Sequence, residues 1–103
     1  LVPNDPALFY TKMLSTFLFV EGNYDEIIGL VGENINAVDI DPLILVMYSV
    51  IKYKENNQKE ALEYYDRFKK AGFGIEKFKY MFRFNQETID SSLKILTQME
   101  KEL

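Results

Sequence analysis

Apolar positions fall three and four residues apart along most of the chain, most plainly at Ala61, Leu62, Tyr65 and Phe68 and, near the end, at Leu93, Leu96 and Met99. That spacing collects them on one side of a helix. Alternation of period two, the mark of a half-buried strand, is nearly absent. Phe17-Leu18-Phe19-Val20 is strand-like in isolation but sits inside a longer helical run. The pattern predicts six helices, over about 6–20, 24–36, 42–55, 58–71, 75–84 and 88–102, and an all-α fold.

Polar punctuation supports these boundaries. Asp5-Pro6 and Asp41-Pro42 each set a capping carboxylate before a proline, which suits the first helical position because its missing N–H has no partner there. Asn23-Tyr24-Asp25-Glu26 and Asn57-Gln58-Lys59-Glu60 read as capping boxes, and Asn85-Gln86-Glu87-Thr88 as a further turn. Gly72 reads as a glycine closing a helix in the left-handed conformation.

The two capping boxes lie 34 residues apart, and a shift of 34 also pairs Ser15 with Ser49, Phe17 with Ile51, Phe19 with Tyr53, Ile27 with Ala61 and Ile28 with Leu62. The chain therefore reads as one helical-repeat domain, 1–103, of three helix–turn–helix units, 5–40, 41–73 and 74–103, the third shorter and more worn. A single helical pair cannot bury its apolar face, so the expected architecture is an α-solenoid of stacked pairs, about three being the minimum. Phe9, Phe17, Phe19, Tyr48, Tyr53, Tyr65, Phe68 and Phe82 are assigned to the core. Leu1 is not a methionine and no signal-peptide pattern follows it, so the chain reads as part of a longer one, with apolar surface expected at one or both ends.

The stretch from Glu60-Ala61-Leu62 through Tyr65, Phe68 and Lys69-Lys70-Ala71-Gly72 resembles the second helix of a pentatricopeptide repeat, and Asp41 to Lys54 looks like that family's first helix with its entry turn. The middle unit carries most of the likeness. The turn Gly22-Asn23-Tyr24-Asp25-Glu26 is similar to one common in tetratricopeptide repeats, the close rival. The first resemblance implies binding of single-stranded RNA in organellar, usually mitochondrial, RNA metabolism or translation. The second implies a scaffold for a protein partner. In the pentatricopeptide family a polar residue near the fifth position of each first helix reads a base. Here that position falls on Met13, Met47 and approximately Phe78, all apolar.

Composition narrows the chemistry. The 103 residues contain no cysteine and no histidine, which removes thiol chemistry, zinc ribbons and histidine general bases. No apolar run approaches the ~18 residues of a membrane span. Glu33, Asp39 and Asp41 lack the glycine and terminal glutamate of a calcium loop. Gly29-x-x-Gly32 and Gly72-x-Gly74 match no nucleotide fingerprint, and Ser91-Ser92 has no base to activate it. The expectation is a binding module, not an enzyme, with no cofactor and no metal.

Charge splits the chain unevenly. Residues 1–41 hold one lysine against seven carboxylates, a net of −6, whereas 42–103 hold 11 bases against nine acids, a net of +2. Phosphate contacts therefore belong to the second part, with Lys52, Lys77, Lys79 and Arg83 as RNA-binding candidates beside Tyr48, Phe78 and Tyr80. The acidic first unit, through Asp25, Glu26 and Glu33, suits a basic protein partner instead. A third expectation is that the repeats only extend or brace a larger assembly.

Overall fold

A computed structural model describes residues 6–36, 40–81 and 85–103, and the side chains of residues 11–36, 40–80 and 85–103. Its elements are α1 (Pro6–Glu21), α2 (Tyr24–Val31), a 3₁₀ turn (Gly32–Asn34), α3 (Pro42–Lys54), α4 (Gln58–Lys70), α5 (Ile75–Met81) and α6 (Gln86–Glu102), with no strand among the described residues. Each matches an expected helix. Asp5, Phe82, Arg83 and Phe84, and the side chain of Phe9, lie outside the description.

Two boundaries moved. The second helix was expected to reach residue 36 but is α only to Val31 before tightening into 3₁₀. Gly29 and Gly32 each weaken a helix by about 1 kcal/mol relative to alanine. Arg67 of α4 then donates to the Ile35 carbonyl (3.1 Å) and to Asn36 Oδ1 (2.9 Å), taking up acceptors at the end of the segment. The last helix begins two residues earlier than expected because Asn85 Oδ1 accepts from the Thr88 amide at 2.9 Å.

The caps show why the first two hairpins are alike. At the end of α1, Gly22 has φ +79°, with Gly22 N donating to Phe19 O and Asn23 N to Leu18 O. At the end of α3, Asn56 has φ +64°, with Asn56 N donating to Tyr53 O and Asn57 N to Lys52 O. These are the same paired bonds, a Schellman motif, displaced by 34 residues. They also correct the reading of two full capping boxes. In a capping box the N3 glutamate takes the cap residue's N–H, but here that N–H is already given to the preceding helix. Asn57 still caps α4 by accepting from the Glu60 amide (3.4 Å), whereas the exposed Asn23 side chain makes no cap bond to α2. Asn57→Ala is accordingly expected to cost about 1 kcal/mol and Asn23→Ala a few tenths, measured by urea denaturation.

Asp41 behaves as expected at the start of α3, accepting from the Leu43 amide at 2.8 Å, and its carboxylate also meets Lys12 Nζ at 3.3 Å. Beyond that cap α3 is apolar all round, and every residue from Leu43 to Ile51 is buried. A helix without a polar face must be enclosed, and α1, α2, α4 and α6 pack around this one. Ser49, buried here, donates to the Val46 carbonyl at 2.7 Å. α4 packs most closely on α3, through Ala61, Tyr64, Tyr65 and Phe68.

The third hairpin packs differently from a regular stack, in which its first helix would lie beside α3. α6, its second helix, rests against both α3 and α4, and α5 packs against α6. The cause lies in the apolar faces. α6 buries Ile89, Ser92, Leu96 and Met99 at helical spacing, whereas Glu76, Lys77, Lys79 and Tyr80 of α5 are exposed and Phe78 is buried.

Polar contacts hold the end of α6. Tyr53 Oη donates to Glu102 (3.1 Å), Tyr65 Oη donates to Glu100 (2.5 Å), and Lys69 pairs with the same Glu100 carboxylate. Lys69 and Tyr65 hold the Glu100 carboxyl below the usual carboxylate range. Burial, then the bond to Glu100, pushes the Tyr65 phenol upward. A depressed carboxyl stabilises the fold above its unfolded value, near 4.3, and that contribution is lost as pH falls through the folded value. A raised phenol stabilises the fold below about pH 10, and that contribution is lost as pH rises further. Glu100→Gln is expected to flatten the acid limb of the stability–pH curve and Tyr65→Phe the alkaline limb, both read from thermal melts.

Candidate partner-binding surface

Of the four basic residues assigned to RNA contact, Lys52, Lys77 and Lys79 have partners within the chain. Lys52, with 17% of its side chain accessible, lies 3.6 Å from Glu55 and 3.8 Å from Glu60, with Nζ over the Tyr48 ring. Lys77 donates to the Gly72 carbonyl at 2.7 Å and sits over Phe73. Lys79 pairs with Glu76 at 3.5 Å, and Arg83 lies outside the described residues. Exposed ion pairs of this kind are weak, so they occupy these cations without locking them.

The rings expected beside the lysines are less available. Tyr48 and Phe78 are buried, Tyr48 edge-on to Tyr64 with centroids 5.1 Å apart, and neither presents a face to a base. Tyr80 is exposed. Of the positions that the pentatricopeptide likeness would assign to base reading, Met47 and Phe78 are buried and only Met13 reaches the surface. α3 turns Met47 into the core because all its faces are covered.

Asp25, Glu26 and Glu33 are exposed, as their partner-binding assignment requires. Asp25 and Glu26 open α2 directly after the Gly22–Asn23 turn, and with Tyr24 and Glu55 they line a notch of about 360 Å³. Among the described residues neither Asp25, Glu26, Glu33 nor Glu21 meets a basic side chain. Lys12, the one base of residues 1–41, is held by Asp41.

The feature the sequence reading missed is on α1. Phe17 was assigned to the core but is 61% exposed, and Met13, one turn earlier, is 41% exposed. The inward face instead carries Thr11, Ser15, Leu18 and Phe19, and Thr16 is buried as well. Thr16 Oγ1 returns to the Lys12 carbonyl at 2.8 Å, and Ser15 Oγ is buried with no hydrogen-bond partner among the described residues. An exposed apolar pair opposite buried hydroxyls inverts the ordinary order of a surface helix. The sequence places Thr11 and Ser15 at i and i+4 on one face of a helix and Met13 and Phe17 on another. The ordinary rule would turn the hydroxyls outward, so this placement held no signal for the exposed pair.

Among the described residues no cluster of His, Cys, Asp or Glu side chains is arranged to hold a metal ion, and no helix is long and apolar enough to cross a membrane. No family model, curated protein or solved structure matches this chain.

Proposed function

We propose that this chain is a binding module of helix–turn–helix repeats whose ligand is a protein, docked on the first hairpin. The observation that carries this reading is the outward turn of Met13 and Phe17 on α1 while Thr11, Ser15 and Thr16 are buried. Large apolar side chains grouped on a surface and rimmed by polar residues mark interaction sites, and aromatic anchors supply much of the energy at such sites. The 34-residue equivalence of the first two hairpins and the acidic surface beside α1 support it further. The RNA reading draws on the net positive charge of residues 42–103, but its rings Tyr48 and Phe78 are buried and its lysines are paired.

A display selection of random peptides on the intact protein tests the proposal, followed by measurement on a Met13→Ser plus Phe17→Ser variant. The selected peptides are expected to bind the variant at least about tenfold more weakly, the loss typical of an interface anchor. The variant itself is expected to melt within about 0.5 kcal/mol of the parent, since both side chains are exposed. A labelled unstructured RNA pool, titrated at about 50 and 200 mM salt, is expected to show no steeply salt-dependent binding. Selected peptides indifferent to both substitutions, or RNA binding that falls steeply with salt and persists in the variant, would overturn the reading.

A further inference from the structure

The repeat itself indicates what kind of element the exposed face accepts. A shift of 34 residues places Met13 on Met47 and Phe17 on Ile51. In α3 those equivalents are 1% and 0% exposed, enclosed by the helices packed around it. In the second hairpin, then, this pair of positions is a helix-packing face. α1 carries the same face with the same class of side chain, one turn apart, and leaves it open. Side chains at i and i+4 form a ridge that fits the groove of another helix. Methionine adapts to an irregular partner surface, and phenylalanine supplies a rigid anchor.

Charge specifies the partner further. Glu21 extends the Met13–Phe17 line by a further four residues, and Asp25 and Glu26 follow across the turn, facing Glu55 in the notch. Lys54 brings one positive charge nearby, but it lies over the Tyr24 ring and donates to the Tyr24 hydroxyl at 2.8 Å. Glu55 meets Lys52 at 3.6 Å, which leaves Glu21, Asp25 and Glu26 without an ion pair among the described residues. An element that covers this surface must therefore be apolar on one stripe and basic at its flank.

We propose that the α1 face receives a basic amphipathic helix of a partner protein, with apolar side chains on Met13 and Phe17 and a lysine or arginine in the notch formed by Asp25, Glu26 and Glu55. This rests on the protein-binding reading above and adds the partner's chemistry to it. Both parts are needed. The carboxylates alone would attract any cation, and the apolar pair alone would not select among helices.

The test uses three labelled 18-residue peptides and the intact protein in fluorescence anisotropy. The first has leucines at i, i+3, i+4 and i+7 with lysines elsewhere, the second is its scramble, and the third carries glutamate for lysine. The first is expected to bind at least about tenfold more tightly than the other two. Met13→Ser with Phe17→Ser is expected to abolish that preference over the scramble, and Asp25→Lys with Glu26→Lys to shift preference toward the glutamate peptide. Equal binding of lysine and glutamate peptides, both sensitive to the α1 substitutions, would overturn the basic partner while leaving the protein-binding reading in place. Lysine-peptide binding indifferent to the α1 substitutions, or no binding up to about 1 mM, would overturn the inference. Self-association in sedimentation equilibrium, lost in the α1 variant, would overturn it in favour of a second copy of this chain.

Discussion

Replacing Met47 with asparagine is expected to cost about 4 kcal/mol or more and to leave the protein largely unfolded in mild denaturant. Two effects add. Removing a buried methionine side chain costs roughly 2–5 kcal/mol when the surroundings do not collapse onto the space. An amide placed there without partners adds about 1–3 kcal/mol of desolvation. A domain of this size holds only about 5–15 kcal/mol in total. Met13→Asn, at the equivalent position of the preceding hairpin, is expected to change stability by no more than about 0.5 kcal/mol, because that side chain is exposed. Urea denaturation monitored by circular dichroism reads both. The comparison also bears on the family resemblance, in which position 47 belongs to a ligand-facing groove and an amide is welcome. Tolerance of Met47→Asn would restore that register and contradict the enclosure of α3.

Phe68→Ala is expected to lower stability by about 3–5 kcal/mol, the range for deleting a buried phenylalanine ring. Phe68 is fully buried and stacks between Tyr65 and Phe73, at centroid distances of 6.2 and 5.5 Å. It also has a local role. Gly72, at φ +96°, closes α4 with its N–H on Lys69 O, and Phe73 N donates to Phe68 O. In this Schellman turn Phe68 and Phe73 form the hydrophobic contact that accompanies the backbone bonds. Losing the ring therefore opens a cavity under α3 and loosens the turn that launches α5. Phe17→Ala is expected to leave the melting midpoint nearly unchanged, since its ring is mostly in solvent already. A similar loss for both substitutions would mean that α1 is rotated and Phe17 packs inward.

Much of the fold was legible in local signals. Asp41 before Pro42, Asn57 and Gly72 act over three or four residues, and each ends or starts a helix where its chemistry predicts, whereas Asn85 caps α6 two residues before the expected start. The cap at Asn23 was misread because a local pattern does not reveal that the backbone N–H is already committed to the previous helix. The acidic surface was legible because ionised carboxylates stay in water unless paired, so a count of charges along residues 1–41 nearly locates it. The core assignments of Phe19, Tyr48, Tyr65 and Phe68 held, and Tyr53 is partly buried with its hydroxyl on Glu102.

What the sequence by itself determined was the helical class, the order and approximate ends of six helices, the 34-residue kinship of the first two hairpins and the uneven charge. All of these rest on interactions between residues a few positions apart, or on residue type alone. The tertiary structure alone decided which side of α1 faces in, that α6 rests against both α3 and α4, and that Met47 and Phe78 are enclosed. An amphipathic helix announces its buried face, but α1 and α3 are apolar nearly all round, so their own periodicity cannot orient them. Their neighbours do. α3 is covered on every side, whereas α1 is covered on the side of Thr11, Ser15 and Phe19, and the pair Met13 and Phe17 is left at the surface.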